Sequence, residues 1–309
     1  MRIQDLLDPE IAARLAAMPF PPIEEHNYLG FRRPAPRPAL SDAVEREEHV
    51  VPADPPVRVR VHRLRGARGP APCVCSIHSG GYVIGSCDVD DATFDGWCRQ
   101  FGIVGIAVDY RLAPETPYPG ALEDCYAALR WTVGYADELG IDPRAIGVFG
   151  VSGGGGLAAA LTLLARDRGE IGLAFQLLDC PMLDDRQQTP SSMVDGMPIW
   201  SRESNAFGWR AYLGDLYGTD RVPGTAAPAR ATDLAGLPPA FVSVGALDGF
   251  RDEDVDYARR LMQAGVPTEL HVYAGLPHGV QLFTDAAVVK RATRDRDDWL
   301  GRQVTRLRG

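Results

Sequence analysis

An α/β fold, with a largely parallel sheet covered by helices on both faces, is the architecture this sequence predicts. Three observations carry it. Short, nearly continuous apolar runs alternate along the chain with stretches of helical apolar spacing. At 309 residues, 45% hydrophobic and 24% charged, the chain is long enough to bury the core of one large domain. One apolar run, Ile146 to Phe149, also passes through Gly150-Val151-Ser152-Gly153-Gly154 straight into the helix-forming Leu157-Ala158-Ala159-Ala160-Leu161.

The first 45 or so residues pair a short amphipathic segment, Ile11 to Met18, with a proline-rich stretch from Pro19 to Pro38. They predict a peripheral element packed over the main domain. Within Pro52 to Leu64, Val57-Arg58-Val59-Arg60-Val61 alternates with period two, as a half-exposed strand does. Strand Cys73–Ile77, helix Asp90–Phe101 and strand Ile103–Val108 follow. A helix over Pro119–Leu139 rests on Ala121, Leu122, Cys125, Leu129 and Val133 at helical spacing. Next come strand Ala145–Phe149, helix Gly153–Asp167 and strand Leu173–Leu178. Asp184 to Tyr217 breaks the alternation, being polar and proline-interrupted yet carrying Met193, Met197, Ile199, Trp200, Phe207, Trp209 and Tyr212. It reads as a helical excursion with its own small core, as a lid over an apolar pocket, or as both. Strand Ala240–Val244, helix Glu253–Gln263, strand Glu269–Tyr273 and a terminal helix Val288–Val304 complete the chain.

A net charge of −9 argues against a nucleic-acid partner, which would want a basic face. Lys290 is the only lysine, a bias of composition rather than a function. No apolar stretch reaches the roughly 18 residues of a membrane span, and Met1 to Leu7 opens no long apolar signal segment, so a cytoplasmic protein without membrane partners is expected. Cys73, Cys75, Cys87, Cys98, Cys125 and Cys180 form no C-x-x-C pair and no metal spacing with histidine. Cys73 and Cys75 should share one side of a strand, as buried thiols in a reducing compartment. No metal is expected.

Ser152 lies in a G-x-S-x-G turn between strand and helix, the setting of a nucleophile elbow. So tight a turn strains the serine backbone, and side chains at Gly150 or Gly154 would strike the crossing chain. A close strand–helix crossing without chemistry would use the same glycines. A P-loop is excluded because Gly155 is followed by Gly156 and Leu157 instead of lysine. Gly153, Gly155 and Ala158 formally fit a dinucleotide fingerprint, with Asp179 as the ribose acid. Such units usually open their domain, and here more than a hundred residues precede it.

A serine hydroxyl needs a base within hydrogen-bond reach, and the base needs an orienting acid. In a parallel sheet these groups collect beyond the C-terminal strand ends. Asp248 follows strand Ala240–Val244 on such a loop; Asp252, Glu253 and Asp254 open a helix, where complementing the dipole accounts for them. His278 follows the last strand between Pro277 and Gly279, whereas His271 is inside that strand and reads as structural. His26, His49 and His62 lie near the N-terminus, away from the relevant strand ends. The order Ser152, Asp248, His278 is that of α/β hydrolases. His78-Ser79-Gly80-Gly81 supplies bare backbone N–H groups for an oxyanion, unless it is merely a turn.

These motifs resemble those of the hormone-sensitive-lipase-like (bacterial family IV) esterases of the α/β-hydrolase superfamily. The resemblance rests on His78-Ser79-Gly80-Gly81 with Tyr82-Val83-Ile84-Gly85, on Asp109-Tyr110-Arg111-Leu112-Ala113-Pro114-Glu115, on the elbow, and on Asp248 and Pro277-His278-Gly279. It implies an eight-stranded, mostly parallel sheet with a helical cap. Residues 1–45 and 184–217 would form the cap, and 46–183 and 218–309 the two parts of the core. It also implies Gly80, Gly81 and Gly153 as oxyanion donors. Ser79 departs from the usual glycine, at a cost of about 1 kcal/mol if φ must be positive there. Val151 and Gly153 stand where the family usually has Asp or Thr and Ala, which suggests a looser, less crowded elbow with room near the acyl carbon, and Val280 stands in place of phenylalanine.

The expected function is a serine carboxylesterase for short- to medium-chain acyl esters, needing no cofactor. An amidase or lactonase would use the same machinery. A non-catalytic receptor on this fold, as in the related plant gibberellin receptors, lacks the histidine found here at position 278. A homodimer is left open.

Overall fold

Eight strands form one sheet in the order β1-β2-β4-β3-β5-β6-β7-β8. The structure is a computed structural model, and it describes residues 3–18, 20–32, 39–67 and 69–309, without the side chains of 280 and 281. Pro19, part of the proline-rich stretch and the departure at Val280 therefore lie outside the described residues.

In chain order the elements are α1 (Pro9–Ala17), β1 (Val44–Val51), β2 (Val57–Leu64), β3 (Ala71–Ile77), α2 (Asp91–Phe101) and β4 (Val104–Asp109). Then come α3 (Gly120–Gly134), α4 (Ala136–Leu139), β5 (Ile141–Val151), α5 (Gly153–Arg168), β6 (Phe175–Asp179) and α6 (Arg202–Leu213). The chain ends with β7 (Ala240–Leu247), α7 (Arg251–Gln263), β8 (Thr268–Pro277) and α8 (Ala287–Arg308). β1 and β2 run antiparallel to their neighbours, and β4, β3, β5, β6, β7 and β8 pair in parallel.

Apolar patterning missed β1. Only Val44 and Val51 of its Val-Glu-Arg-Glu-Glu-His-Val-Val sequence are buried. It is an edge strand, held by its ladder to β2 and by cross-strand ion pairs such as Arg63–Glu45 (2.6 Å). The helix expected over 119–139 is divided, because α3 stops at Gly134 and the short α4 follows Tyr135.

Alternation along the strands sorts their side chains to two faces. Cys73, Cys75 and Ile77 join Leu122, Leu129 and Leu161 on the face covered by α3, α5 and α7. Val74, Ala107 and Phe149 face Phe94 and Trp97 of α2 and Trp299 and Leu300 of α8. All six cysteines are buried and free. Phe207, Trp209 and Tyr212 of α6 merge into the α3/α5 core instead of forming a separate one. Trp209 packs on Tyr82 (5.3 Å between ring centres), and Phe207 on Tyr28 (5.5 Å). The N-terminal segment is tied to α6 by the Ile23 N–H donating to Ser204 Oγ at 2.8 Å.

Candidate active site

The loops after β3, β5, β7 and β8 converge at the C-terminal edge of the sheet. Ser152, between β5 and α5, has φ 57° and ψ −123°, a strained conformation for a residue with a Cβ, costing about 1–3 kcal/mol. Three backbone bonds hold it: its N–H donates to Asp179 O (2.9 Å), and its carbonyl accepts from Met182 N–H (2.9 Å) and Gly156 N–H (3.0 Å). The glycines are spatially required, since a Cβ on Gly154 would stand 2.0 Å from Ile77 O and one on Gly150 2.1 Å from Gly154 O.

His278 Nε2 is 2.9 Å from Ser152 Oγ, and His278 Nδ1 is 2.7 Å from Asp248 Oδ2. All three residues are buried. The other oxygen of Asp248 accepts the Phe250 N–H at 3.0 Å, which fixes the carboxylate in the loop after β7. Phe250 meets the imidazole edge-on, with ring centres 5.0 Å apart. Serine, histidine and acid thus form one hydrogen-bonded line.

The loop after β3 faces that line. Gly80 (φ 129°) and Gly81 (φ 55°) take conformations open to glycine, and neither N–H donates to an acceptor among the described residues. Gly153 lies against the same loop: a Cβ there would be 2.9 Å from Gly81 N and 3.0 Å from Tyr82 N. The expectation of spare room at this position is therefore corrected. The absent side chain lets the loop approach more closely than an alanine would. Ser79 is not among the residues with positive φ, so it carries no such strain. His78 is buried, stacks on Tyr110 (4.0 Å between ring centres) and bonds the Ser79 carbonyl through Nδ1 at 2.9 Å. Burial lowers its pKa to about 4, so it is a neutral buttress of the loop.

A cavity of about 440 Å³ opens on Ser152. Phe20, Pro21, Ile23 and Phe31 wall it from the N-terminal segment, and Ile199 and Trp200 from the 184–217 excursion. Trp200 thus lines the cavity, while Phe207 and Trp209 serve the core beneath. One acid, Asp90, also lines it, and burial pushes its carboxyl up to about 7. A separate cavity of about 580 Å³, between α1 and residues 196–203, contains none of these catalytic candidates.

His78 and Asp90 make opposite contributions to acid stability. Between about pH 4 and 6.5 the unfolded chain protonates a histidine that the folded chain keeps neutral, so the His78 contribution is lost as pH falls. Folded Asp90 keeps its proton up to about 7, so its contribution is lost as pH rises from about 4 to 7. In melts at about pH 5 and 7.5, His78→Asn should gain relative stability at the lower pH and Asp90→Asn at the higher. An identical Tm difference between the two pH values in both variants and the parent would contradict these environments.

Comparison with known proteins gives the family of this fold. A family profile described as "alpha/beta hydrolase fold" matches residues 74–282. The chain belongs to the α/β-hydrolase family. This α/β hydrolase is 40% identical over 228 residues to "Esterase LipI" of Mycobacterium tuberculosis, a match covering 72% of this chain and 69% of the relative. "Carboxylesterase NlhH" of the same organism is 39% identical over 230 residues, covering 74% of this chain and 72% of the relative. Among solved structures, "Bacterial Heroin Esterase" superposes with a TM-score of 0.92 at 39% identity, over 98% of this chain and 99% of that one.

Other candidates in the α/β hydrolase lie elsewhere or are engaged. His271 contacts Glu269 Oε1 at 2.8 Å, and His62 contacts Asp91 Oδ1 at 2.8 Å. Asp179 accepts from Ser243 Oγ (2.8 Å), and a Cβ on Gly155 would stand 2.9 Å from Pro181, which disfavours the dinucleotide reading. Asp252 accepts from Ser191 N–H (2.7 Å) and Arg251 Nε (2.8 Å). Asp252, Glu253 and Asp254 stand in the first turn of α7, as expected, but Glu253 and Asp254 are buried, and burial raises both carboxyls well above the usual range, against a charged role at the dipole. Glu253 Oε1 accepts from the N–H groups of Leu183 (2.8 Å) and Asp184 (3.0 Å). Donor atoms of Cys180, Asp248 and His278 lie within 4.8 Å of one another, as a metal site would require. Burial pushes the Cys180 thiol up, and His278 Nδ1 already bonds Asp248, so this donor set fits a metal poorly. Sequence reading missed Asp90 and Arg296 on the cavity wall.

Proposed function

We propose that this α/β hydrolase is a serine carboxylesterase acting on short- to medium-chain acyl esters. The observation that carries the reading is the Ser152–His278–Asp248 line, at 2.9 and 2.7 Å, opening on a mostly apolar cavity. Relatives named esterase and carboxylesterase support it. His278 Nε2 takes the Ser152 proton as Oγ attacks the ester carbonyl. N–H groups of Gly80, Gly81 and Gly153 stabilise the tetrahedral oxyanion. The C–O bond to the alcohol breaks, and His278 returns the proton to the departing oxygen. Water, deprotonated by the same imidazole, then attacks the acyl-enzyme, and Ser152 regains its proton as the acid leaves. Asp248 holds the imidazole tautomer and supports the imidazolium.

In this reading residues 1–45 and 184–217 form the cap and the remainder the catalytic core. Six buried free thiols fit a reducing, cytoplasmic compartment, where the substrates would be dissolved esters. With Trp200 and Ile199 roofing a cavity of about 440 Å³, kcat/KM in a p-nitrophenyl ester series from acetate to palmitate should peak at acyl chains of about two to eight carbons. Palmitate turned over as well as butyrate would contradict a closed pocket.

A further inference from the structure

Asp90 is an acid in a cavity that is otherwise mostly apolar, and its carboxyl has no ion-pair partner among the described residues. The side chain is 6% exposed and lines the same cavity as Ser152. Oδ2 accepts from the buried hydroxyl of Ser76 at 2.8 Å. Oδ1 has no hydrogen-bond partner among the described residues, and it is not among the sealed, unsatisfied atoms of the interior. Its open lone pairs therefore face the cavity.

Nearby cations are already spent. Asp91, the next residue, takes Arg46, Arg60 and His62. Arg60 also pairs with Asp88 (2.5 Å) and Glu48 (2.6 Å). Arg296, the one cation among the residues lining the cavity, bonds Asp297 at 2.9 Å and lies over the rings of Trp97 (5.0 Å) and Phe149 (5.7 Å). No ion pair to Asp90 occurs among the described residues.

We infer that Asp90 is a specificity-determining residue that selects esters carrying an ammonium group on the part lodged against it. The inference rests on the esterase reading of Ser152. A cation beside Oδ1 supplies the charge that the protein withholds, and Trp200, an aromatic side chain of the kind that attracts cations, lines the same cavity. Burial already pushes the empty-site carboxyl up to about 7, and an adjacent cation favours its ionised form. An anionic substituent in the same place would face an acceptor with no proton to give once Asp90 is ionised. A neutral alkyl group would leave the carboxyl protonated and draw no charge attraction from it.

Isosteric ester pairs test this, since trimethylammonium and tert-butyl groups match in shape and differ in charge. One pair varies the alcohol, choline butyrate against 3,3-dimethylbutyl butyrate. The other varies the acyl chain, ethyl 4-(trimethylammonio)butanoate against ethyl 5,5-dimethylhexanoate. In at least one pair, Asp90→Asn should lower the cationic-to-neutral ratio of kcat/KM by about tenfold or more. Asparagine keeps an acceptor for Ser76, and the ratio cancels any general loss of activity. Binding is read separately in Ser152→Ala, where the cationic ester should raise Tm more than its isostere, and adding Asp90→Asn should erase the difference. Unchanged ratios in both pairs, with equal stabilisation by both esters, would overturn the assignment. Turnover of none of the four esters, with binding still discriminating in Ser152→Ala, would overturn the esterase reading and uphold Asp90.

Discussion

Ser152→Ala should leave the protein folded and reduce ester hydrolysis by about 10⁴-fold or more. The hydroxyl makes one hydrogen bond, to His278 Nε2, whereas the elbow's shape is held by backbone bonds to Asp179, Met182 and Gly156 that alanine retains. Alanine must still adopt positive φ, but so does the serine it replaces, and Tm should move by only a few degrees. A fluorophosphonate probe should label the parent at Ser152 alone, because among the described residues only there does an imidazole bond a serine hydroxyl. Labelling that persists in Ser152→Ala, or full activity in a folded variant, would remove the nucleophile assignment and the acyl-enzyme mechanism with it.

The parallel strands were legible because burial on both faces leaves continuous apolar runs, and β3, β4, β5, β6 and β7 are such runs. β1 was not legible, because an edge strand with one paired side needs few buried residues and can be written in charges. The elbow and the loops bearing Asp248 and His278 could be read for a related reason. A nucleophile on a tight turn demands glycines at fixed offsets, and the fold places strand-end loops on one edge.

What the sequence hid depends on packing between distant segments. Glu253 and Asp254 look like first-turn charges of α7, and only the chain at Leu183 and Asp184, bonded to Glu253, makes that turn interior. Asp90 sits in the run Asp88-Val89-Asp90-Asp91, where three acids look alike. Arg46, Arg60 and His62 converge on Asp91, and Arg60 also takes Asp88, leaving Asp90 to the cavity. Gly153 misled in the opposite direction. A missing side chain reads as space, yet the loop at Gly81 and Tyr82 occupies it.

Asp248→Asn should cost about 10⁴-fold in kcat with little loss of Tm. The asparagine carbonyl can still accept the Phe250 N–H that Asp248 Oδ1 now receives at 3.0 Å. Its amide then presents N–H donors toward His278 Nδ1, where the carboxylate accepted. That turns Nδ1 into an acceptor and moves the imidazole proton to Nε2, the atom 2.9 Å from Ser152 Oγ. A protonated Nε2 cannot take the serine proton, and the support for a developing imidazolium is lost as well. Asp252, four residues on, offers a matched control, since its carboxylate serves Ser191 and Arg251 and contacts neither Ser152 nor His278. Asp252→Asn should keep kcat/KM within about threefold while lowering stability by about 1 kcal/mol through the weakened contacts. Steady-state kinetics and melts on both variants decide the matter: a large loss in Asp252→Asn with Asp248→Asn nearly normal would reassign the acid.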